Sequence, residues 1–137
     1  MVNDILAAIA DSLAAEYPEA TIYDTNVRQN LNVPCFLIDL VNLDTQRRLN
    51  KQYASHSDFS VVYIGEGPDD TRQVAELLPI QLATVSHGGH TWEGGNFRVN
   101  IEDQENTVTC LVQFFSVVKI LEERALMKTL RQNGGIK

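Results

Sequence analysis

The strongest constraint on what this chain can fold into lies in its last third. Phe97, Val99 and Ile101 alternate with Arg98, Asn100 and Glu102, and Val108 to Val118 returns after the polar run Asp103-Gln104-Glu105-Asn106. Side chains on a strand point alternately to opposite faces, so this spacing puts an apolar face on a core and a polar face outward. Two such runs joined by a short polar turn specify an antiparallel hairpin.

The rest of the chain has to supply what covers that hairpin. Residues 3–17 predict an amphipathic helix, capped by Asn3 or Asp4, with Leu6, Ile9, Ala10, Leu13 and Tyr17 as its apolar stripe. Pro18 ends it, having no amide hydrogen and disfavouring helical geometry at Tyr17. A short strand is expected around Thr21–Tyr23. Pro34 opens a stronger one over Cys35–Val41, apolar on both faces apart from Asp39, as a strand covered on both sides would be. Residues 45–64 read as extended, with a break near Ser55-His56-Ser57. Phe59, Val61 and Tyr63 then give one buried face.

Gly65-Glu66-Gly67-Pro68 predicts a turn, and Asp69 or Asp70 a cap for a second helix buried through Val74, Leu77 and Leu78. Pro79 perturbs or ends that helix, residues 80–86 are expected to form a strand, and the glycine-rich stretch 87–95 a mobile loop with Trp92 at its tip. Residues 122–131 predict a short terminal helix and 132–135 a flexible tail. Grouped strands indicate one α+β domain over residues 1–137, with a mainly antiparallel sheet flanked by two main helices and a short C-terminal helix or tail.

Composition narrows the function classes. With 44% hydrophobic and 21% charged residues, the 137-residue chain supports one ordinary globular core. Eleven basic against 18 acidic residues leave a net charge of −7, which disfavours broad nucleic-acid binding and an anionic membrane surface. No run is long and apolar enough for a membrane span, and no basic region precedes an apolar stretch, so no signal peptide is expected. Synthesis in a cytoplasm follows. Cys35 and Cys110 lie in apolar runs and read as buried free thiols.

No catalytic pattern stands out. His87 and His90 have metal-like spacing, but a site needs three or four ligands and Glu93 is the one carboxylate nearby in sequence. Gly65-Glu66-Gly67 lacks the lysine of a phosphate loop, and acids occupy the following helix start. Glu102, Asp103 and Glu105 read as solvated turn acids, and Ser60, Ser86 and Ser116 have no elbow or neighbouring base. Arg47, Arg48 and Lys51 form the concentrated basic patch. They read equally as edge-strand charges that discourage pairing or as an interface that meets a neighbour's acids. Trp92 is likewise hairpin packing or an interface anchor.

Four segments carry a resemblance. Val33-Pro34-Cys35-Phe36-Leu37-Ile38 is followed by Gln46-Arg47-Arg48-Leu49-Asn50-Lys51-Gln52-Tyr53, by Asp58-Phe59-Ser60-Val61-Val62-Tyr63, and by the ending Asn133-Gly134-Gly135-Ile136-Lys137. Together they resemble a family of small tail terminator proteins from phages and prophages of Gram-positive bacteria. The resemblance implies an α+β protein of the virion tail, without catalysis or cofactor. It implies a homo-oligomeric ring, expected as a hexamer, at the head-proximal end of the tail tube. Such a ring stops tube polymerisation, meets the tube protein and the head-completion or neck protein, and lets DNA pass through its lumen. Arg47, Arg48, Lys51, Tyr53, Trp92, Ile136 and Lys137 are the contact residues it suggests. Another neck or head–tail connector protein is the alternative. A small-molecule-binding protein or enzyme with a site near His87, His90 and Trp92 is a distant third.

Overall fold

A computed structural model describes residues 2–24, 31–49 and 52–119. Helix α1 (Val2–Glu16) is followed by strands β1 (Thr21–Tyr23), β2 (Cys35–Arg48) and β3 (Gln52–Ile64), helix α2 (Pro68–Gln81), and strands β4 (Thr84–His87), β5 (His90–Glu102) and β6 (Thr107–Lys119). The strands form one sheet in the order β1-β2-β3-β6-β5-β4. β1 runs parallel to β2 and the other pairs are antiparallel. This is the expected α+β fold with a mainly antiparallel sheet and two main helices. The predicted terminal helix and tail, with Lys51, Ile136 and Lys137, lie outside the described residues.

Both helices pack on the same face of the sheet. Ile5, Ile9 and Leu13 of α1 and Val74 and Leu78 of α2 meet Phe36, Phe59, Val61, Val108 and Phe114 of the strands in one cluster. Each large apolar side chain so buried contributes about 1.5–3 kcal/mol. The stripe expected on α1 is right for Ile9 and Leu13. Ile5 and Ala8 lie deeper than Leu6, Ala10 and Tyr17, which sit at the margin. Tyr17 tilts against Phe36 with ring centroids 5.0 Å apart, and Phe36 against Tyr63 at 4.8 Å. The Tyr17 hydroxyl donates to Gln81 Oε1 at 2.7 Å, joining the end of α1 to the end of α2. Burial raises the Tyr17 hydroxyl above its ordinary pKa.

Several sequence expectations are corrected. No break occurs at Ser55-His56-Ser57: β3 runs through it, and Ser55 and Ser57 are buried between β2 and β6. Their small side chains suit a crowded sheet as well as a turn. The reversal comes between Arg48 and Gln52, so residues 45–48 continue β2, which is longer than the predicted 35–41. Cys35 to Ile38 are buried on both faces as expected, but every residue from Leu40 to Arg48 is exposed.

The stretch 87–95 is no loop. It belongs to a β4–β5 hairpin whose turn residues Gly88 and Gly89 have φ of 61° and 81°, the positive values a tight two-residue hairpin turn demands. Trp92 therefore lies opposite Val85 inside the hairpin, partly buried against the core, instead of at a tip. α2 passes through Pro79 to Gln81, so the next strand begins only at Thr84. A proline in the last turn forfeits one helical bond there, and Leu82 N–H still donates to Leu78 O at 2.9 Å. Gly67, not an aspartate side chain, occupies the N-cap of α2. Asp70 instead accepts a hydrogen bond from the Tyr63 hydroxyl.

Two bulges shape the sheet. β2 slips register between Leu40 and Asn42, and β5 between Gly95 and Arg98. Both fall at the level of Asp58 on β3 and Gln113 on β6, so the two flanking strands bend together there. Below that level the sheet carries the helices, and above it the strands continue as an arm.

Cys110 is fully buried and its thiol is pushed up to about 11; Cys35 shifts in the same direction for the same reason. The thiolate is the reactive form, so both should resist a thiol-specific reagent at pH 8 in the folded protein and react fully in denaturant. Fast labelling without denaturant would contradict this burial. Packing is testable at two neighbouring glycines. A Cβ on Gly94 would stand 2.5 Å from Leu82 O and 2.8 Å from Val112 Cγ2, whereas one on Gly95 meets nothing within 4 Å. Gly94→Ala is expected to lose about 1–3 kcal/mol in urea unfolding and Gly95→Ala far less.

Candidate subunit interface

The arm is built from the ends of three strands. Arg47 pairs with Tyr53 and Arg48 with Gln52 across the β2–β3 reversal, and β6 flanks the other side of β3 up to Lys119. Successive side chains alternate in direction, so Arg47 and Tyr53 share the helix-side face and Arg48 takes the opposite, outer face. Arg47 and Arg48 are exposed and form no ion pair among the described residues.

The outer face of the arm is organised around Phe115. Its ring lies 4.8 Å from that of His56, and the Arg48 guanidinium carbon stands 5.5 Å from its centroid. Arg48 comes from β2 and Phe115 from β6, so the arginine crosses β3 at the level of Ala54. That accounts for the burial of Ala54, 2% exposed on an otherwise open face. Phe115 and Val117 remain exposed around this contact, and Leu43, opposite Ser57, is exposed on the helix-side face. On the helix-side face Thr45 and Ser55 share a hydroxyl contact of 3.2 Å. His56 Nδ1 and Ser57 Oγ are buried with no hydrogen-bond partner among the described residues.

The other end of the sheet is acidic. The β5–β6 turn contains a 3-10 turn at Asp103–Glu105 and ends on Asn106 in the left-handed region, φ 51°. Arg72 of α2 donates to Asp103 Oδ2 at 3.0 Å and approaches Asp69 at 4.0 Å. A hydrogen bond with Glu105, reinforced by that neighbour's charge, raises the Glu102 carboxyl above its ordinary range. Glu66 adds a further exposed acid at the turn before α2.

Other sequence candidates fall elsewhere. His87 and His90 face each other across the Gly88-Gly89 turn. His87 Nδ1 lies 3.0 Å from Asp11 Oδ2, and the His90 ring 6.1 Å from Trp92. Among the described residues no group of three or more His, Cys, Asp or Glu side chains is arranged to hold a metal. The structure thus brings Arg47, Arg48 and Tyr53 together and puts Trp92 on the far side of the sheet. The acidic end as a unit escaped sequence reasoning. Ile64 opposes Thr107 in the β3–β6 ladder, which brings the turn before α2 beside the β5–β6 turn through a pairing distant in sequence that no local pattern shows.

The sequence matches the family described as phage tail terminator protein over residues 4–124. The chain belongs to that family. The matched span includes all but the first two residues of α1, the whole of α2, the whole sheet and the arm. No curated protein matches the chain. No helix of this terminator, among the described residues, is long and apolar enough to cross a membrane.

The histidine hairpin offers a direct test. Replacing His87 and His90 together by alanine removes one exposed contact with Asp11, so the melting temperature should move little. A ligand that binds the folded state raises stability by mass action, so equimolar Zn²⁺ should leave the wild-type melting temperature within about 1 °C. A clear Zn²⁺-dependent rise, abolished by the double substitution, would restore the metal reading.

Proposed function

We propose that this terminator assembles as a ring, expected as a hexamer, on the head-proximal end of the tail tube. It ends tube polymerisation and presents the surface that joins the head. Family membership supports the tail role. The observation that carries self-association is the arm, which extends beyond the helices with exposed Leu43, Phe115 and Val117 and with exposed Arg47 and Arg48, which form no ion pair among the described residues. Exposed apolar side chains beside arginines are what protein contacts use, and a chain alone gains nothing by presenting them.

Arg47, Arg48 and Tyr53 are the contact residues this arrangement favours. Trp92 would belong to a different contact, and Lys51, Ile136 and Lys137 are proposed from the sequence alone. The tube protein lies on one side of the ring and the head-completion or neck protein on the other. DNA passes through the open centre, where a net charge of −7 opposes adhesion of phosphates.

Electron microscopy of particles from a phage or induced prophage carrying a stop codon at Tyr17 tests this reading. Headless tubes of uncontrolled length are expected. Tubes of normal length that fail to join heads would move the chain to a neck role, and intact infectious particles would overturn both.

A further inference from the structure

The sheet is electrically polarised along its strands. From Thr45 to Ser57 the sequence contains no acidic residue, while Arg47, Arg48 and Lys51 all fall within it. At the other end Arg72 contacts Asp69 and Asp103, and Glu66, Glu102 and Glu105 are exposed at the turns before α2 and between β5 and β6. β3 joins the two ends through 13 residues, a span of roughly 40 Å at about 3.3 Å per residue.

That span is several times the screening length of about 8 Å at physiological salt. Within one chain the two ends therefore cannot neutralise each other. Both also carry apolar side chains that are exposed among the described residues. Leu49, 88% exposed, and Val117 accompany the arginines, and Val99 and Ile101 accompany the acids. One end is apolar and basic, the other apolar and acidic around the single Arg72, and among the described residues Arg47 and Arg48 form no ion pair.

We propose that the β2–β3 arm docks on the acidic end of a second copy of this chain. The contact is heterologous: the arm of one subunit meets the β5–β6 turn and α2 start of the next. Repetition closes a ring when the rotation between copies allows it, and otherwise builds a filament. Arg47 and Arg48 face opposite sides of the arm, so together they can grip acids from both sides. The proposal rests on the self-association reading above and names its two surfaces.

The test is a charge exchange in the Tyr17 stop mutant, complemented from a plasmid. One variant carries Arg47→Glu and Arg48→Glu, a second carries Glu66→Lys, Glu102→Lys and Glu105→Lys, and a third carries all five. Circular dichroism and thermal melting establish that each folds, as these exposed positions predict. Each of the first two is expected to lower infectious titre about 100-fold or more, because like charges then face each other across the contact. The five-fold exchange restores the attraction and is expected to recover titre to within about tenfold of wild type.

Wild-type titre from the arginine variant would overturn the proposal. So would a folded five-fold variant as defective as its parents, since the arm would then meet some other partner, such as the tube protein. Tail length in the uncomplemented lysate reads the terminator function separately. Failure of one reading is therefore distinguishable from failure of the other.

Discussion

The β3–β6 ladder is what the rest of the molecule depends on. It runs without a register shift from Gln52↔Lys119 to Ile64↔Thr107, while the outer partners of both strands carry bulges. Its lower half supplies Phe59, Val61, Val108 and Val112 to the core, and its upper half is the spine of the arm. β3 is paired by β2 on one side and β6 on the other, so it extends past the helices without losing hydrogen bonds, while beyond Phe114 β3 is the one described partner of β6. A shift of one residue would turn Phe59 and Phe114 away from the helices and put Asp58 and Gln113 among them. The same register that seals the core thus fixes which side chains the arm shows.

The bulges and the glycines then adapt this ladder to its surroundings. Gly94 lies where β5 reaches β6, with its N–H donating to Ala83 O at 2.9 Å and Leu82 O directly above its Cα. A side chain there would hold the β4–β5 hairpin off the sheet and open the core between Leu82 and Val112. The hairpin instead closes that margin with Val85 and part of Trp92. Packing at one end leaves the other end of the sheet free to project.

Strict alternation was legible, and compensated irregularity was not. Val108 to Val118 and Phe59 to Tyr63 were readable as strands because their alternation marks a face that is buried through Val108, Cys110, Val112, Phe114, Phe59 and Val61. Phe97 to Ile101 alternates as cleanly, yet Val99 and Ile101 stay exposed. The Ser55-His56-Ser57 stretch was misread because its residues have turn-like composition, yet neighbours on both sides hold it in the sheet. Glycines at 88–95 suggested a loop, whereas two serve a tight turn and one a close approach. The contact patch was legible only in part. Arg47 and Arg48 stand out by charge alone, but Phe115, His56 and Ala54 join them through pairing across three strands, which no local window contains.

The two readings of the arginines are compatible on the folded chain. β1 covers β2 only at Cys35–Leu37, so from Ile38 onward β3 is the one described partner of β2. A long open edge of this kind invites unwanted strand pairing, and a bulge and interspersed charges discourage it. Asp39, Asp44, Arg47 and Arg48 are placed for that, with the bulge at Val41 between them. Charge that repels an indiscriminate strand still attracts a surface of opposite sign, so protection of the edge and selection of a partner can reside in the same residues. Specificity of this kind needs both an attraction and a refusal. A subunit that must meet its own kind in one register, without growing into an aggregate, has use for both.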